Sequence, residues 1–243
     1  MIDRQTKALF VHIPKTGGQS IEHVFLALNG LSWDERAPLL LRRNKDPERG
    51  PARMAHLLAR EYVDCAHLTP QEYGQLFSFA FVRNPWDRLV SAYRYHCGEE
   101  QSFARFVDGF LGYRESFSNR ARHAIPQADY LCDAAGNVMV NFVGKFETLA
   151  QDFASVAQEL SLPSAQLPHR NASSGRKGSR SAQLLSRLGL RKAAARQKRH
   201  YSDYYTPALI DRVGEFYRRD VELFDYRFMP ADAHTAHPAQ AVN

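Results

Sequence analysis

The sequence predicts an α/β fold in which a central, mostly parallel β-sheet is flanked by helices. The main observation is a pattern of short apolar strand, polar turn and amphipathic helix, which occurs twice, near residues 8–28 and residues 77–93. Strand, turn and helix in that order form the opening half of a βαβ unit, whose strands run parallel. The second observation is the length of 243 residues, which is sufficient for one sizeable domain with a buried core.

The first copy of the pattern begins with the apolar run from Ala8 to Ile13, which Pro14 ends. A polar turn that contains two glycines follows it. Apolar residues then recur at helical spacing from Ile21 to Leu28, and Asn29-Gly30 closes the segment. These residues predict a buried strand, a tight loop and a helix.

The second copy begins at Phe77 to Val82, an aromatic and apolar run that is the clearest strand in the sequence. Arg83-Asn84-Pro85 ends this strand. Apolar and aromatic residues then return to helical spacing from Trp86 to Tyr93. Each copy therefore places a basic residue at the turn that follows a buried strand.

Further elements are predicted along the rest of the chain. The charged stretch from Ser32 to about Arg60 contains several prolines and is expected to be surface loop with some helix. The other predictions are a short strand over Tyr62–Ala66, helices over Phe103–Phe110 and Leu149–Leu160, a strand over Val138–Phe146, and a last helix with Thr206 as N-cap and Pro207 at its first position.

Composition and charge narrow the class of protein. The formal charge of +6 and the pI near 9.3 predict an acidic partner, for which nucleic acid, anionic lipid, acidic polysaccharide and a phosphate-rich cofactor all qualify. No apolar run approaches the ~20 residues that span a bilayer, and the first residues lack the pattern of a signal peptide. Cys65, Cys97 and Cys132 show neither metal-ligand nor disulfide spacing. We therefore expect a cytoplasmic protein.

The turn after the first strand has the composition of an anion-binding loop. Backbone N–H groups point outward at a strand-to-helix turn, and the helix dipole favours an anion there. Glycines let the backbone approach a phosphate closely, hydroxyls add donors, and a lysine adds positive charge. Because the lysine precedes the glycines, the segment is not a Walker A loop. An ordinary βα turn with a solvated lysine is the alternative. The residues of this loop are Lys15, Thr16, Gly17, Gly18, Gln19 and Ser20.

The turn after the second strand offers a second phosphate contact. Arg83 follows a buried strand and is therefore expected at the edge of the sheet where ligands bind in open α/β folds. Ser91 lies two helical turns further on. A guanidinium and a hydroxyl on adjacent surface form a phosphate clamp. The alternative is that Arg83 pairs with Asp87 and that Ser91 packs.

Together, the two motifs resemble those of the sulfotransferases that use 3′-phosphoadenosine 5′-phosphosulfate (PAPS). The similarity is greatest to the carbohydrate O-sulfotransferase family, which includes the heparan 2-O- and chondroitin enzymes and many bacterial members. The segment from His12 to Thr16 resembles that family's 5′-phosphosulfate loop. The residues that resemble its 3′-phosphate segment are Arg83, Pro85, Arg88, Ser91 and Tyr93. Weaker similarity covers nearly the whole chain.

The resemblance implies a P-loop-like three-layer sandwich and a reaction that transfers the sulfuryl group of PAPS to a hydroxyl, on a glycan, without a metal. Lys15 is expected to stabilise the charge that grows on the leaving phosphate in an in-line displacement. Arg83 and Ser91 are expected to hold the 3′-phosphate. The loop residues 15–20 are expected to hold the 5′-phosphosulfate.

A base that takes the proton of the acceptor hydroxyl would speed such a transfer. We predict His67 for this role, because it follows a predicted strand and lies between the two motifs. A local structural role for His67 is the alternative. His12 precedes Pro14 inside a strand and is expected to be structural, whereas His169 is a candidate on the acceptor side.

One sulfotransferase domain is predicted over residues 1–230, and residues 231–243 are expected to form a disordered tail. A basic segment at about 174–200 resembles an insertion, because acidic residues are absent between Glu159 and Asp203. Three interpretations are open: a solvated, partly disordered insertion, a contact surface for an acidic glycan or the adenosine 3′-phosphate, and a weak contact with a membrane surface. The last rests on a short leucine group of Leu184, Leu185 and Leu188.

Two other classes of protein fit the sequence less well. A nucleotide kinase or another P-loop NTPase requires a Walker A loop and a magnesium-holding acidic residue after a strand, and the sequence shows neither. A nucleic-acid-binding module requires aromatic side chains among the basic ones, and the segment from Arg170 to Arg199 contains none. We therefore expect a hydroxyl-bearing acceptor, and no nucleic acid, as the partner.

Overall fold

The structure is a computed structural model that describes residues 1–98, 100–111, 118–168 and 199–231. Its strands form one four-stranded sheet in the order β1-β2-β3-β4, in which β1 runs antiparallel to β2 and the other neighbours are parallel. The strands are β1 (Ile2–Asp3), β2 (Ala8–Val11), β3 (Phe77–Val82) and β4 (Phe142–Lys145). The predicted α/β fold with a mostly parallel central sheet is confirmed.

Helices follow each of the three parallel strands. The helices of the described residues are α1 (Gly18–Leu28), α2 (Glu61–Asp64), α3 (Pro70–Gly74), α4 (Pro85–Cys97), α5 (Phe103–Leu111), α6 (Asn119–Ala124), α7 (Gln127–Leu131), α8 (Leu149–Glu159), α9 (Pro207–Phe216) and α10 (Arg218–Leu223). The predicted N-cap of the last long helix is present, because the Thr206 side chain accepts a hydrogen bond from the Leu209 amide. Within the described ranges, no helix is long and apolar enough to cross a bilayer.

The strand predicted over Tyr62–Ala66 is wrong, since these residues contribute to the short helix α2. Contacts made by side chains account for the turn. The Glu61 carboxylate accepts a hydrogen bond from the Leu58 amide at 2.8 Å, which closes a helical turn, and the Tyr62 hydroxyl donates to the carbonyl of Phe10. The strand predicted over Val138–Phe146 is shorter than expected, because Val138 forms an isolated bridge with Cys132 before β4 begins.

The sheet is buried on both faces, which gives the predicted three layers. Leu9 and Val82 belong to the part of the core that packs against α2 and α7. Phe10 and Phe79, whose ring centroids lie 5.1 Å apart, point to the opposite face and pack against α1 and α8. This alternation is the one expected of neighbouring residues in a strand. A third apolar cluster joins α4, α5 and α9.

The register of the sheet brings the two sequence motifs together. Val11 at the end of β2 pairs with Ala80 of β3, and both strands run in the same direction. The loop after β2 and the turn after β3 therefore meet at the carboxyl edge of the sheet. Residues 169–198 and 232–243, which contain most of the predicted basic insertion, His169 and most of the predicted tail, lie outside the described residues.

A buried arginine of α4 ties this edge to the rest of the domain. Arg88 is 2% exposed, and its Nε donates to the carbonyl of Pro14 at 3.3 Å, in the loop after β2. Its Nη2 donates to the carbonyls of His123, in α6, and of Ile125, which follows α6. Its Nη1 lies 3.9 Å from the carboxylate of Asp220, which is fully buried in α10. One guanidinium thus joins four segments.

We expect Arg88→Ala to lower the free energy of unfolding by about 3–5 kcal/mol, because it leaves the Asp220 carboxylate buried without its cation. Urea unfolding measures the change. The matched control is Arg105→Ala on α5, an exposed arginine whose removal is expected to change stability by no more than about 0.5 kcal/mol. An Arg88→Ala change as small as that of the control would contradict the role given to Arg88.

Candidate active site

The loop between β2 and α1 requires glycine at two positions, Gly17 for its backbone conformation and Gly18 for close packing. Gly17 has φ of +83° and precedes α1 as its N-cap, without any side-chain hydrogen bond to the first turn. A Cβ on Gly17 would lie 2.9 Å from Cδ2 of Leu149, and one on Gly18 would lie 2.2 Å from Cδ2 of His12. The start of α1 therefore packs closely against Leu149 and His12, and no side chain caps its first amide groups, which are the groups that bind anions at a helix N-terminus.

The polar side chains of this loop are not equivalent. The Thr16 side chain is buried and its hydroxyl donates to the carbonyl of Ile13 at 2.9 Å, so its hydrogen stabilises the turn. Gln19 is exposed and Ser20 is half-buried in the first turn of α1. Among the loop side chains, Gln19 and Ser20 are therefore better placed than Thr16 to donate to a ligand.

Lys15 lies at the mouth of the loop in a strained backbone conformation, with φ of +73°. Its Nζ is 4.6 Å from the centroid of the Tyr95 ring on α4. Burial and the nearby Arg83 guanidinium lower the pKa of Lys15 to about 8. A lysine in this state is still largely charged at neutral pH, and an incoming anion favours the charged form further.

Arg83 is joined to the loop directly. Its Nη1 donates to the carbonyl of Lys15 at 3.0 Å, while Nε and Nη2 donate to one carboxylate oxygen of Asp87 at 2.9 and 2.7 Å. The face of the guanidinium lies 4.1 Å from the centroid of the Phe146 ring. The pairing with Asp87 that the sequence left open is thus present. Ser91 lies half-buried two turns along α4.

His67 is not brought to this edge of the sheet. Its Nε2 lies 2.9 Å from the carbonyl of Arg49, and it lines an open cavity of about 340 Å³ together with Gln5 and Asn29. Gln5 lies in the turn that leads into β2, and Asn29 follows the last residue of α1. His67 therefore lies towards the amino-terminal ends of the parallel strands, whereas Lys15 lies at their carboxyl ends.

A group of four histidines lies beside the loop instead. Of these four, the sequence drew attention only to His12. The ring of His12 contacts that of His56 at 4.7 Å between centroids, and His56 contacts His123 at 5.8 Å. His123 in turn lies 4.8 Å from His96, with 3.1 Å between His123 Nδ1 and His96 Nε2. Tyr95, which contacts Lys15, packs against both His96 and His123.

Three of these histidines, His56, His96 and His123, are held in their neutral form. Burial lowers the pKa of His56 and of His123 well below the usual range, with neighbouring histidines adding to the effect. Burial, followed by Arg120 and Lys15, lowers the pKa of His96 to about 4. A neutral imidazole accepts a proton through its bare nitrogen, so this group offers proton acceptors at the site.

His56 has a defined tautomer. Its Nδ1 lies 3.2 Å from the carbonyl of His12, which can only accept a hydrogen bond, so Nδ1 carries the hydrogen and Nε2 is bare. The segment that carries His56 is fixed by a buried ion pair. Arg122 donates from Nη1 and Nη2 to the two carboxylate oxygens of Glu61, at 2.9 and 2.6 Å.

The comparisons with known proteins show the family to which the chain belongs. The chain matches the model of the sulfotransferase family over residues 1–227 and therefore belongs to that family. The family defines a transferase that moves sulfuryl groups. The chain is also 37% identical, over 89 residues, to an uncharacterized protein of Archaeoglobus fulgidus, and this match covers 35% of the chain and 68% of that protein.

The neutral histidines predict a loss of stability in acid. A histidine with a lowered pKa contributes stability that is complete above its unfolded pKa, near 6.5, and is lost as the pH falls below that value. We expect the free energy of unfolding to decrease between about pH 7 and about pH 5, and to decrease less in His96→Gln. Urea unfolding at both pH values checks this. An equal decrease in the two proteins would show that His96 is not held neutral.

Proposed function

We propose that this chain transfers the sulfuryl group of PAPS to a hydroxyl group of an acceptor, in particular a glycan. The observation that carries the proposal is the junction of Lys15, Arg83 and the glycine-lined start of α1 at one edge of the sheet. A Cβ on Gly17 or Gly18 would clash with Leu149 or His12, so the glycines let the loop pack closely, and no side chain caps the first amide groups of α1. PAPS supplies an activated sulfuryl group and the anhydride oxygen that leaves with the phosphate.

Lys15 and the amides of α1 are proposed to hold the 5′-phosphosulfate. As the bond between sulfur and the phosphate oxygen breaks, negative charge grows on that oxygen. The Lys15 ammonium is proposed to stabilise this charge, which lowers the barrier because the interaction is stronger in the transition state than before it. The half-buried position of Lys15 strengthens the interaction, because little water competes for the charge.

Arg83 and Ser91 are proposed to hold the 3′-phosphate, which distinguishes PAPS from ATP. A guanidinium has five N–H donors, and Arg83 uses three of them for Lys15 and Asp87. The remaining two, one on Nη1 and one on Nη2, are available to a phosphate. The pairing with Asp87 thus orients the guanidinium and leaves two of its N–H donors for a ligand.

His56 is proposed as the base that takes the proton of the acceptor hydroxyl, in place of His67. Its bare Nε2 can accept a proton, and its lowered pKa keeps that nitrogen unprotonated at pH 7. Its ring packs on His12, which lies against Gly18 of the loop. The position of His67 near Gln5 and Asn29 argues against the same role for that residue.

The glycan acceptor, the domain bounds and the cytoplasmic location are further parts of the proposal. A glycan acceptor rests on the resemblance of the sequence motifs, and a tyrosine, a lipid-linked sugar or a small metabolite would meet the same groups. One domain over residues 1–230 is consistent with the matched range. The three cysteines are free thiols, which is consistent with a reducing cytoplasm.

The donor is tested by calorimetry with adenosine 3′,5′-bisphosphate, the product of transfer, beside ATP and 5′-AMP. We expect binding that requires the 3′-phosphate and that weakens about tenfold to a hundredfold in Arg83→Ala, as loss of hydrogen bonds to a charged group implies. Arg105→Ala, an exposed arginine on α5, is the control and should bind as the wild type does. Preference for ATP with magnesium would contradict the proposal.

The base is tested by comparing His56→Gln with His67→Gln. We expect His56→Gln to bind the bisphosphate normally and to lose about a hundredfold or more in the rate of transfer, whereas His67→Gln keeps its rate. The rate is measured as transfer of labelled sulfate from PAPS to a panel of methyl pyranosides. Loss of rate in His67→Gln with normal rate in His56→Gln would reverse the assignment. Lys15→Ala should abolish transfer in the same assay.

A further inference from the structure

Tyr95 is an exposed aromatic side chain at the centre of an otherwise buried group. It is 48% exposed, and it is the one aromatic residue among the exposed large apolar side chains of the described ranges. Its neighbours His96 and His123 are half-buried and buried. The Tyr95 ring contacts Lys15, His96 and His123, so it is part of the candidate site.

Few groups around Lys15 favour its positive charge. In the described part of the chain, its Nζ has neither a hydrogen-bond acceptor nor a carboxylate partner, and Arg83 opposes its charge. The face of the Tyr95 ring, 4.6 Å from Nζ, is the attractive contact that the structure shows. The negative face of an aromatic ring attracts a cation at this distance.

We propose that Tyr95 is a positioning residue for Lys15, whose ring holds the ammonium over the phosphate loop before the donor arrives. The inference rests on the proposed function, in which Lys15 meets the leaving phosphate. The ring fixes a long side chain that otherwise has several rotamers, and it favours the charged form that the reaction requires. Tyr95 touches neither the donor nor the reacting atoms in this role.

The other groups around Lys15 do not replace the ring. Arg83 is positive, although Asp87 offsets part of its charge. His96 and His123 both lie close enough to Lys15 to interact with its charge, and their lowered pKa values keep them neutral. Removing the ring is therefore expected to lower the pKa of Lys15 further, by about half a unit, the size that an exposed cation–π contact corresponds to.

Competitive acetylation with trace acetic anhydride tests this directly, since only the neutral amine reacts. Peptide mass spectrometry reads the labelling of Lys15 against Lys7 and Lys45, two exposed lysines that serve as internal references. At about pH 7 we expect Lys15 to be labelled about two to three times faster in Tyr95→Leu than in wild type, and at the wild-type rate in Tyr95→Phe. Tyr95→Gln is the second ringless variant, in case the leucine variant does not fold.

Donor affinity gives an independent readout. We expect Tyr95→Leu to bind adenosine 3′,5′-bisphosphate about twofold more weakly than wild type at about pH 8, and equally at about pH 6.5, where Lys15 is charged in both proteins. A merely structural role would weaken binding at both pH values. Equal labelling of Lys15 in wild type and in both ringless variants overturns the inference. Absence of bisphosphate binding in the wild type would instead count against the proposed function, while the labelling result still decides the role of Tyr95.

Discussion

The buried guanidinium of Arg88 is the constraint on which the geometry of the site depends. It donates to the carbonyl of Pro14, which precedes Lys15, and to the carbonyls of His123 and Ile125. It also faces the Asp220 carboxylate, which in turn accepts hydrogen bonds from the amides of residues 127 and 128. The loop after β2 and the segment that carries His123 are thus fixed relative to each other through one side chain. Removing a partner from such a buried network costs more than the contact itself, because the remaining groups stay desolvated.

Around Arg88, the charged Lys15 and Arg83 lie nearer the surface than the neutral His56 and His123. The half-buried Lys15 and Arg83 lie at the carboxyl edge of the sheet, where an anion can reach them. His56 and His123 lie deeper, and desolvation keeps them neutral at the pH at which Lys15 is largely charged. Such a division lets one small region offer both cations for a phosphate and proton acceptors for a hydroxyl. Groups whose surroundings push their pKa values apart are typical of acid–base sites.

The sequence predicts the features that depend on local contacts, and it misses the features that depend on contacts between residues far apart in the chain. The strand β3 is predicted residue for residue, and α1, α4 and the Thr206 cap follow from spacing alone. The loop is likewise recognisable, since its glycines and lysine are adjacent in the chain. The histidine group is not, because 67 residues separate His56 from His123 and no periodicity links them. The sequence indicates His67 only through its position between the two motifs. The helical turn at Glu61 that carries the chain away from the loop depends on a partner, Arg122, that is 61 residues distant.

The backbone of Lys15 connects the two halves of the proposed donor site. A lysine with φ of +73° is strained, and such strain persists only where surrounding contacts over-determine the conformation. Here the contact is the hydrogen bond from Arg83 to the Lys15 carbonyl. The residue proposed for the 3′-phosphate therefore also holds the residue proposed for the leaving group in place. Because the two side chains share this contact, the energetic effects of replacing them are coupled and do not add. A loss of donor affinity on removing Arg83 consequently contains two parts, the lost phosphate contact and the relaxation of Lys15 away from the loop.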